Sequence, residues 1–179
     1  LFALGHAVNL KNFTPSQAQQ LADGVAKWIP NSQEILQRVV YWTEGQPFLT
    51  QKLCQLIIDS VNRESIGDSV PTNYWVDCLV QRRNIDNWEW QDNPEHLRTI
   101  RDRLLNTYPN DSSLLILYQC ILLSEQSGYP CVKADGSELQ QSLILTGSVN
   151  ISNGILQVKN QIYRSVFDLE WVRSQLKPI

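Results

Sequence analysis

Chemistry on this chain would have to come from His6, His96, Cys54, Cys78, Cys120, Cys131 and an arginine-rich middle. The four cysteines form no Cys-x-x-Cys pair, and two histidines far apart in sequence cannot supply the clustered nitrogen ligands of a zinc site. A cysteine nucleophile would need a histidine base beside it, and none lies near a cysteine in sequence. Phosphate chemistry fares no better. There is no G-x-x-x-x-G-K-[ST] loop and no G-x-G-x-x-G turn to cradle phosphates. No strand ends in the paired acids that would hold magnesium. The expectation is a chain with no catalytic residue, no metal and no cofactor of its own.

The arginines divide into Arg82-Arg83 and the set Arg98, Arg101 and Arg103. One reading makes them a solvated helix face with Asp86, Asp92, Glu95 and Asp102 as partners. The other lets Arg98 and Arg101 reach a nucleotide or an adjacent domain. His96, on the first turn of the same predicted helix, is open to the same two readings: packing and capping, or a phosphate contact.

These residues must be positioned by elements, and composition bounds those first. With 179 residues and 42% hydrophobic content, the chain can form one domain or two small ones. A net charge of −3 and a pI near 5.3 give no electrostatic footprint for nucleic acid or an anionic membrane. No apolar run reaches the roughly 18–20 residues of a membrane span, and the start lacks the basic flank of a signal peptide. With no methionine anywhere, position 1 included, a fragment of a longer protein is expected. Free thiols and no need for a disulfide framework point to the cytoplasm, with Cys54, Cys78 and Cys120 expected as buried members of helical apolar patterns.

Alternation in Phe2–Leu10 predicts a strand without a nearby partner, the last strand of an upstream sheet. Thr14, Pro15 and Gln17 then open a helix whose buried face includes Ala18, Leu21, Val25 and Ile29. A second helix is predicted over 32–43. It ends in Thr43-Glu44-Gly45-Gln46-Pro47, where Gly45 can take a left-handed cap and Pro47 can open the third helix. That third helix buries Leu49, Leu53, Leu56 and Ile57; a fourth carries Tyr74, Trp75, Val76, Leu79 and Val80. Four short helices make a bundle over 11–86. The polar connector 87–94 holds Trp88 and Trp90 and reads as an ordered hinge. Helices are then predicted from Asn93-Pro94, from Ser112 or Ser113, and from the Ser137 cap to about Leu145, followed by a hairpin turning at Asn153-Gly154. Helices followed by a hairpin are the order of a winged helix over 95–179. The fold class is therefore mainly α: a four-helix lid-like bundle, a hinge, and a winged-helix domain with a small β-hairpin. DNA is not the expected partner, because the recognition-helix candidate Ser137–Leu143 has no basic residue and the hairpin offers only Lys159 near its base.

Taken together, the run Trp42–Cys54, the run Asn87-Trp88-Glu89 with Asp92–Leu104, and Asn160–Phe167 followed by Trp171-Val172 resemble a known family. It is the AAA-like ATPase domains of cyanobacterial multidomain signalling proteins, within the STAND class. The resemblance extends over nearly the whole chain and implies its C-terminal part only, a lid bundle plus winged helix downstream of a missing P-loop core. It implies that Gly45, Gln46 and Pro47 are similar to a Gly-x-Pro lid element lying near the adenine. ATP or ADP would then be bound together with the absent core, so the parent, not this chain, would be the ATPase. The implied partners are that upstream core, a downstream effector domain of the same protein and a second copy through self-association. Two other classes remain open: a winged-helix transcription factor, and a helical scaffold using tryptophans such as Trp28, Trp75, Trp88 and Trp90 as protein-binding anchors.

Overall fold

A computed structural model describes residues 12–13, 24, 26–27, 29–64, 71–107, 111–126 and 129–176. The predicted strand at 2–10 and most of the helix opened by Thr14 lie outside the described residues. The molecule is mainly α, with one small antiparallel hairpin. It divides into two compact units, 1–78 and 79–179.

In the first unit, α1 (Ser32–Thr43) and α2 (Pro47–Glu64) pack against each other across the predicted corner. Ile35, Leu36 and Val39 from α1 meet the core that Leu49, Leu53 and Ile57 build from α2, each at three- or four-residue spacing. Leu56 is only half-buried, at the edge of that stripe. The helix α3 (Asn73–Val80) begins in this unit, and the division falls within it. Its Asp77 receives both Nε and Nη2 of Arg38 and the indole Nε1 of Trp42, each at 2.7 Å, so one carboxylate ties α1 to α3. Val76, Leu79 and Val80 are buried as expected, but Tyr74 is 76% exposed. An eight-residue helix buries one stripe, and Tyr74 lies off the stripe that Val76 and Val80 define.

The second unit opens with the last two residues of α3, Leu79 and Val80, and a π-helical turn, Gln81–Ile85, follows them directly. Then come α4 (Trp88–Gln91), α5 (Leu97–Asn106), α6 (Ser113–Ser124) and α7 (Glu138–Leu145). The strands β1 (Val149–Ser152) and β2 (Ile155–Val158) follow, then α8 (Gln161–Val166) and α9 (Leu169–Gln175). The hairpin pairs Val149 with Val158 and Ser152 with Ile155. Asn153 (φ 51°) and Gly154 (φ 76°) supply the two left-handed residues that a tight two-residue turn demands. A bridge from Lys133 to Ile155 adds a strand-like segment along the free edge of β2, an element the sequence pattern did not announce. Buried Gln140 of α7 holds that segment: its Nε2 donates to the Lys133 carbonyl (3.0 Å) and its Oε1 accepts from Asp135 N (2.9 Å). The result is a winged-helix-like unit.

Its core runs through Tyr118, Ile121, Leu143, Leu156, Ile162, Tyr163 and Phe167. Side-chain caps fix the short helices, with Ser137 on α7, Asn160 on α8 and Asp168 on α9 each accepting a backbone N–H two or three residues into the helix. Because α6 is apolar almost all round, its sequence does not say which side faces out; Ile116 and Cys120 do. Cys120 thus departs from the buried thiol expected of it, whereas Cys54 is buried. No described helix is long and apolar enough to cross a membrane.

Candidate functional site

Two places gather the residues that the sequence singled out. The first is the corner between α1 and α2. The helix α1 ends when Glu44 turns left-handed (φ 47°), its N–H still bonded to Val40 O at 2.7 Å. Gly45 follows, also left-handed (φ 72°), so the cap expected of Gly45 alone is shared by two residues. Pro47 opens α2 as predicted, and Gln46 caps it, its Oε1 accepting Leu49 N at 2.6 Å. Beneath the turn, Thr43 and Thr50 are fully buried and joined hydroxyl to hydroxyl at 2.8 Å; each hydroxyl also lies within hydrogen-bond distance of the carbonyl four residues back, and since one hydroxyl donates to the other, one of the pair donates to its carbonyl. Above it lies the backbone of residues 12–13. Asn12 Nδ2 donates to Glu44 O at 2.7 Å and Phe13 N to Gly45 O at 2.8 Å. A Cβ at position 45 would sit 3.1 Å from Phe13 O and 3.2 Å from Phe13 N. Glycine is required here twice, by its φ and by that approach.

This wiring decides what the corner can offer a ligand. The Glu44 and Gly45 carbonyls and the Gln46 side-chain oxygen are all engaged. The side-chain NH₂ of Gln46 and the ring of Pro47 are both half-exposed, two N–H donors on one amide beside a small apolar face, with the exposed Glu44 next to them in sequence.

The second place is the start of α5, in the other unit. Asp92 is buried, and its Oδ2 accepts the backbone N–H groups of His96 and Arg98, each at 2.8 Å. The Asn93–Pro94 peptide is cis, and α5 begins at Leu97 rather than at the predicted Asn93-Pro94. Arg98 folds back onto the same residue, with Nη2 donating to Asp92 O at 3.0 Å, and also pairs with Glu95 at 3.0 Å. His96 Nε2 lies 2.6 Å from the hydroxyl of Tyr163 on α8, their rings tilted at 5.8 Å. Burial first, with the nearby Asp92 charge adding, pushes the Tyr163 hydroxyl far above the ordinary phenol range, against the lowering influence of the Asn160 side chain. Tyr163 therefore stays a neutral phenol beside His96.

Arg101 stands one turn further along α5, apart from that cluster. It pairs with Glu89 of α4 at 2.8 Å and with Asp102 at 2.8 Å, and its guanidinium lies 5.9 Å from the Trp88 ring centre. The structure thus unites His96 and Arg98 around Asp92, keeps Arg101 on its own ion pairs, and holds Gly45, Gln46 and Pro47 together in the first unit. Asp92 was readable only as a surface partner for arginine. The signal that it is an organiser was its place just before Asn-Pro at a helix start, where a carboxylate caps backbone N–H groups.

A further depression of about 820 Å³ lies beside α6, β2 and α9, and three of its five charged lining residues are engaged within the unit. Arg164 pairs with Glu125 at 2.6 Å, Glu125 also accepts Val158 N at 2.9 Å, and Asp168 caps α9. Among the described residues no group of three His, Cys, Asp or Glu side chains could hold a metal ion.

No family model matches the sequence, and no solved structure does. An uncharacterized WD repeat-containing protein of Synechocystis sp. (strain ATCC 27184 / PCC 6803 / Kazusa) is 36% identical over 181 residues, an alignment that takes in 99% of this chain. The chain spans 15% of that relative's length, so its likeness is to one segment of a much longer cyanobacterial protein.

Proposed function

We propose that the chain is the lid and winged-helix portion of a larger STAND/AAA-like signalling ATPase. In this reading it carries the nucleotide state of an upstream P-loop core to other domains through protein–protein contacts, with no catalytic role of its own. The supporting observation is the corner at Gly45. Two consecutive left-handed residues, a buried Thr43–Thr50 pair and the overlying 12–13 backbone hold Gln46 and Pro47 in one geometry. An amide NH₂ beside a small apolar ring suits the edge and face of a purine, while the catalytic loop and metal would come from the core.

The relative adds context. WD repeats are built of four-stranded blades of roughly 40–45 residues, whereas this chain is mainly helical. On this reading the segment of the relative that matches would lie apart from the repeats for which that protein is named. A switch module joined to a repeat array for interaction fits that arrangement.

Calorimetry with ATP and ADP, on this chain and on one extended upstream through the core, tests the reading. Binding by the extended chain alone, weakened by Gly45→Ala, is expected. If neither chain binds nucleotide, the reading fails and the alternative stands: a helical protein-interaction scaffold without a nucleotide role. Trp90, 91% exposed, is the observation that favours this second reading.

A further inference from the structure

The second unit carries a groove that neither the corner nor the Asp92 cluster uses. It has a volume of about 380 Å³ and is lined by Asn87, Trp88, Glu89, Trp90, Trp171 and Gln175. Its floor is rigid. Trp88 and Trp171 each meet the buried Phe167 ring in an edge-on contact, at 5.5 Å (79°) and 4.9 Å (63°) between ring centres. Trp90 is different: it projects from the short helix α4 with 91% of its surface in solvent. A side chain that could bury 150–250 Å² is left outside by the fold.

The polar groups around these rings are mostly unspent. Among the described residues none of the three indole N–H groups of Trp88, Trp90 and Trp171 donates a hydrogen bond, and none is enclosed without a partner. Glu89 is the groove's one ionic residue. Its Oε1 accepts Arg101, while Oε2 accepts nothing among the described residues.

We propose that this groove binds a proline-rich, extended segment of a partner protein that carries a basic residue. Three requirements lead there. Aromatic faces set in a shallow slot match the ridged surface of a polyproline II helix, whose rings pack without needing a deep pocket. Such a helix makes no internal hydrogen bonds, so its carbonyls are free to accept the unspent indole N–H groups. Glu89 already pairs with Arg101 through Oε1, and its second oxygen, on the one carboxylate lining the groove, can accept a further N–H from an arginine or lysine on that segment. An amphipathic helix would leave the indole donors without acceptors, because its carbonyls are already bonded. The assignment does not depend on the nucleotide switch.

The probe is an acetylated peptide of nine prolines with one arginine at its amino end, titrated into the 179-residue chain and followed by tryptophan fluorescence and indole N–H chemical shifts. Expected is saturable binding that moves the resonances of Trp88, Trp90 and Trp171. Trp90→Ala should weaken it at least tenfold, with an unchanged circular dichroism spectrum because so exposed a ring supports no core. Glu89→Gln should abolish the preference for this peptide over one with glutamate in place of arginine. Any of three results overturns the proposal: no shift of these indoles at millimolar peptide; equal binding of a glycine–serine peptide bearing the same arginine; or concentration-dependent protection of Trp90 in sedimentation and fluorescence without peptide, which would make the groove a contact between copies of this chain.

Discussion

A single carboxylate can hold two elements, and Asp77 and Asp92 do so in different ways. Asp77 is part-exposed and gathers Arg38 and Trp42. Burial works against its charged form, but the hydrogen bonds from Arg38 and Trp42 and the Arg38 charge outweigh burial and hold its carboxyl below the ordinary range. A carboxylate whose folded value lies below its unfolded value of about 3.9 gives stability that is fully present above that value. That stability is lost as pH falls through the lower, folded value, so the window lies below about pH 4. Asp77→Asn should lower unfolding free energy by about 1–2 kcal/mol at pH 7, toward the low end because the pair is partly screened by solvent. The deficit relative to wild type should shrink below pH 4, which urea denaturation at pH 7 and pH 3 would show; an unchanged deficit would exclude the charge as its source. Asp92 is enclosed and works through backbone N–H groups. Asp92→Ala strips the cap of α5 and should cost about 2–3 kcal/mol. Amide exchange at His96 and Arg98 should accelerate; protection equal to wild type would show that another group caps the helix. The Asp77 role had no signal in the sequence, and the one for Asp92 was only its place before Asn-Pro at a helix start. The sequence shows an aspartate near arginines, whereas its place in the fold decides whether solvent or a helix end receives it.

Elements were more readable than their wiring, and the reason is local. The bounds of α1, the start of α2, the Ser137 cap and the Asn153-Gly154 turn follow from capping residues, proline and positive-φ residues, all of which act within a few positions. The bridge at Lys133 and the short helix α4 meet partners distant in sequence, Ile155 and Phe167, and nothing near them in sequence announces them. The corner allows a controlled comparison. Gly45 and Gly136 both have φ 72°, but a Cβ at Gly136 meets nothing within 4 Å, whereas one at Gly45 meets the Phe13 backbone. Gly136→Ala should cost about 1 kcal/mol, the conformational penalty alone. Gly45→Ala carries the same penalty plus displacement of residues 12–13, and should cost about 2–3 kcal/mol. Equal losses in denaturant unfolding would mean that the 12–13 segment contributes nothing to the corner.

At the scale of the whole molecule, charge decides which partners the winged-helix-like unit can hold. A polyanion is bound mostly by neutralised phosphates, and its affinity falls steeply with salt. Here the net charge is −3, and Arg98, Arg101 and Arg164 are each paired to carboxylates of their own unit. The exposed positions of α7 are Glu138, Gln141 and Leu145, and the hairpin shows Ile151 to solvent. A helix and wing that present carboxylate, amide and aliphatic groups repel a phosphate backbone and suit a protein surface instead. Duplex DNA should therefore show no retardation by this chain even at roughly 10 mM salt, where the Debye length is about 30 Å and electrostatic attraction is at its longest range. Binding that weakened with a steep slope against salt concentration would mean that the paired arginines release their carboxylates to reach phosphate, and would move the molecule to the DNA-binding class. Indifference to DNA, together with a response of Trp90 to a proline-rich peptide, would place its business with other proteins.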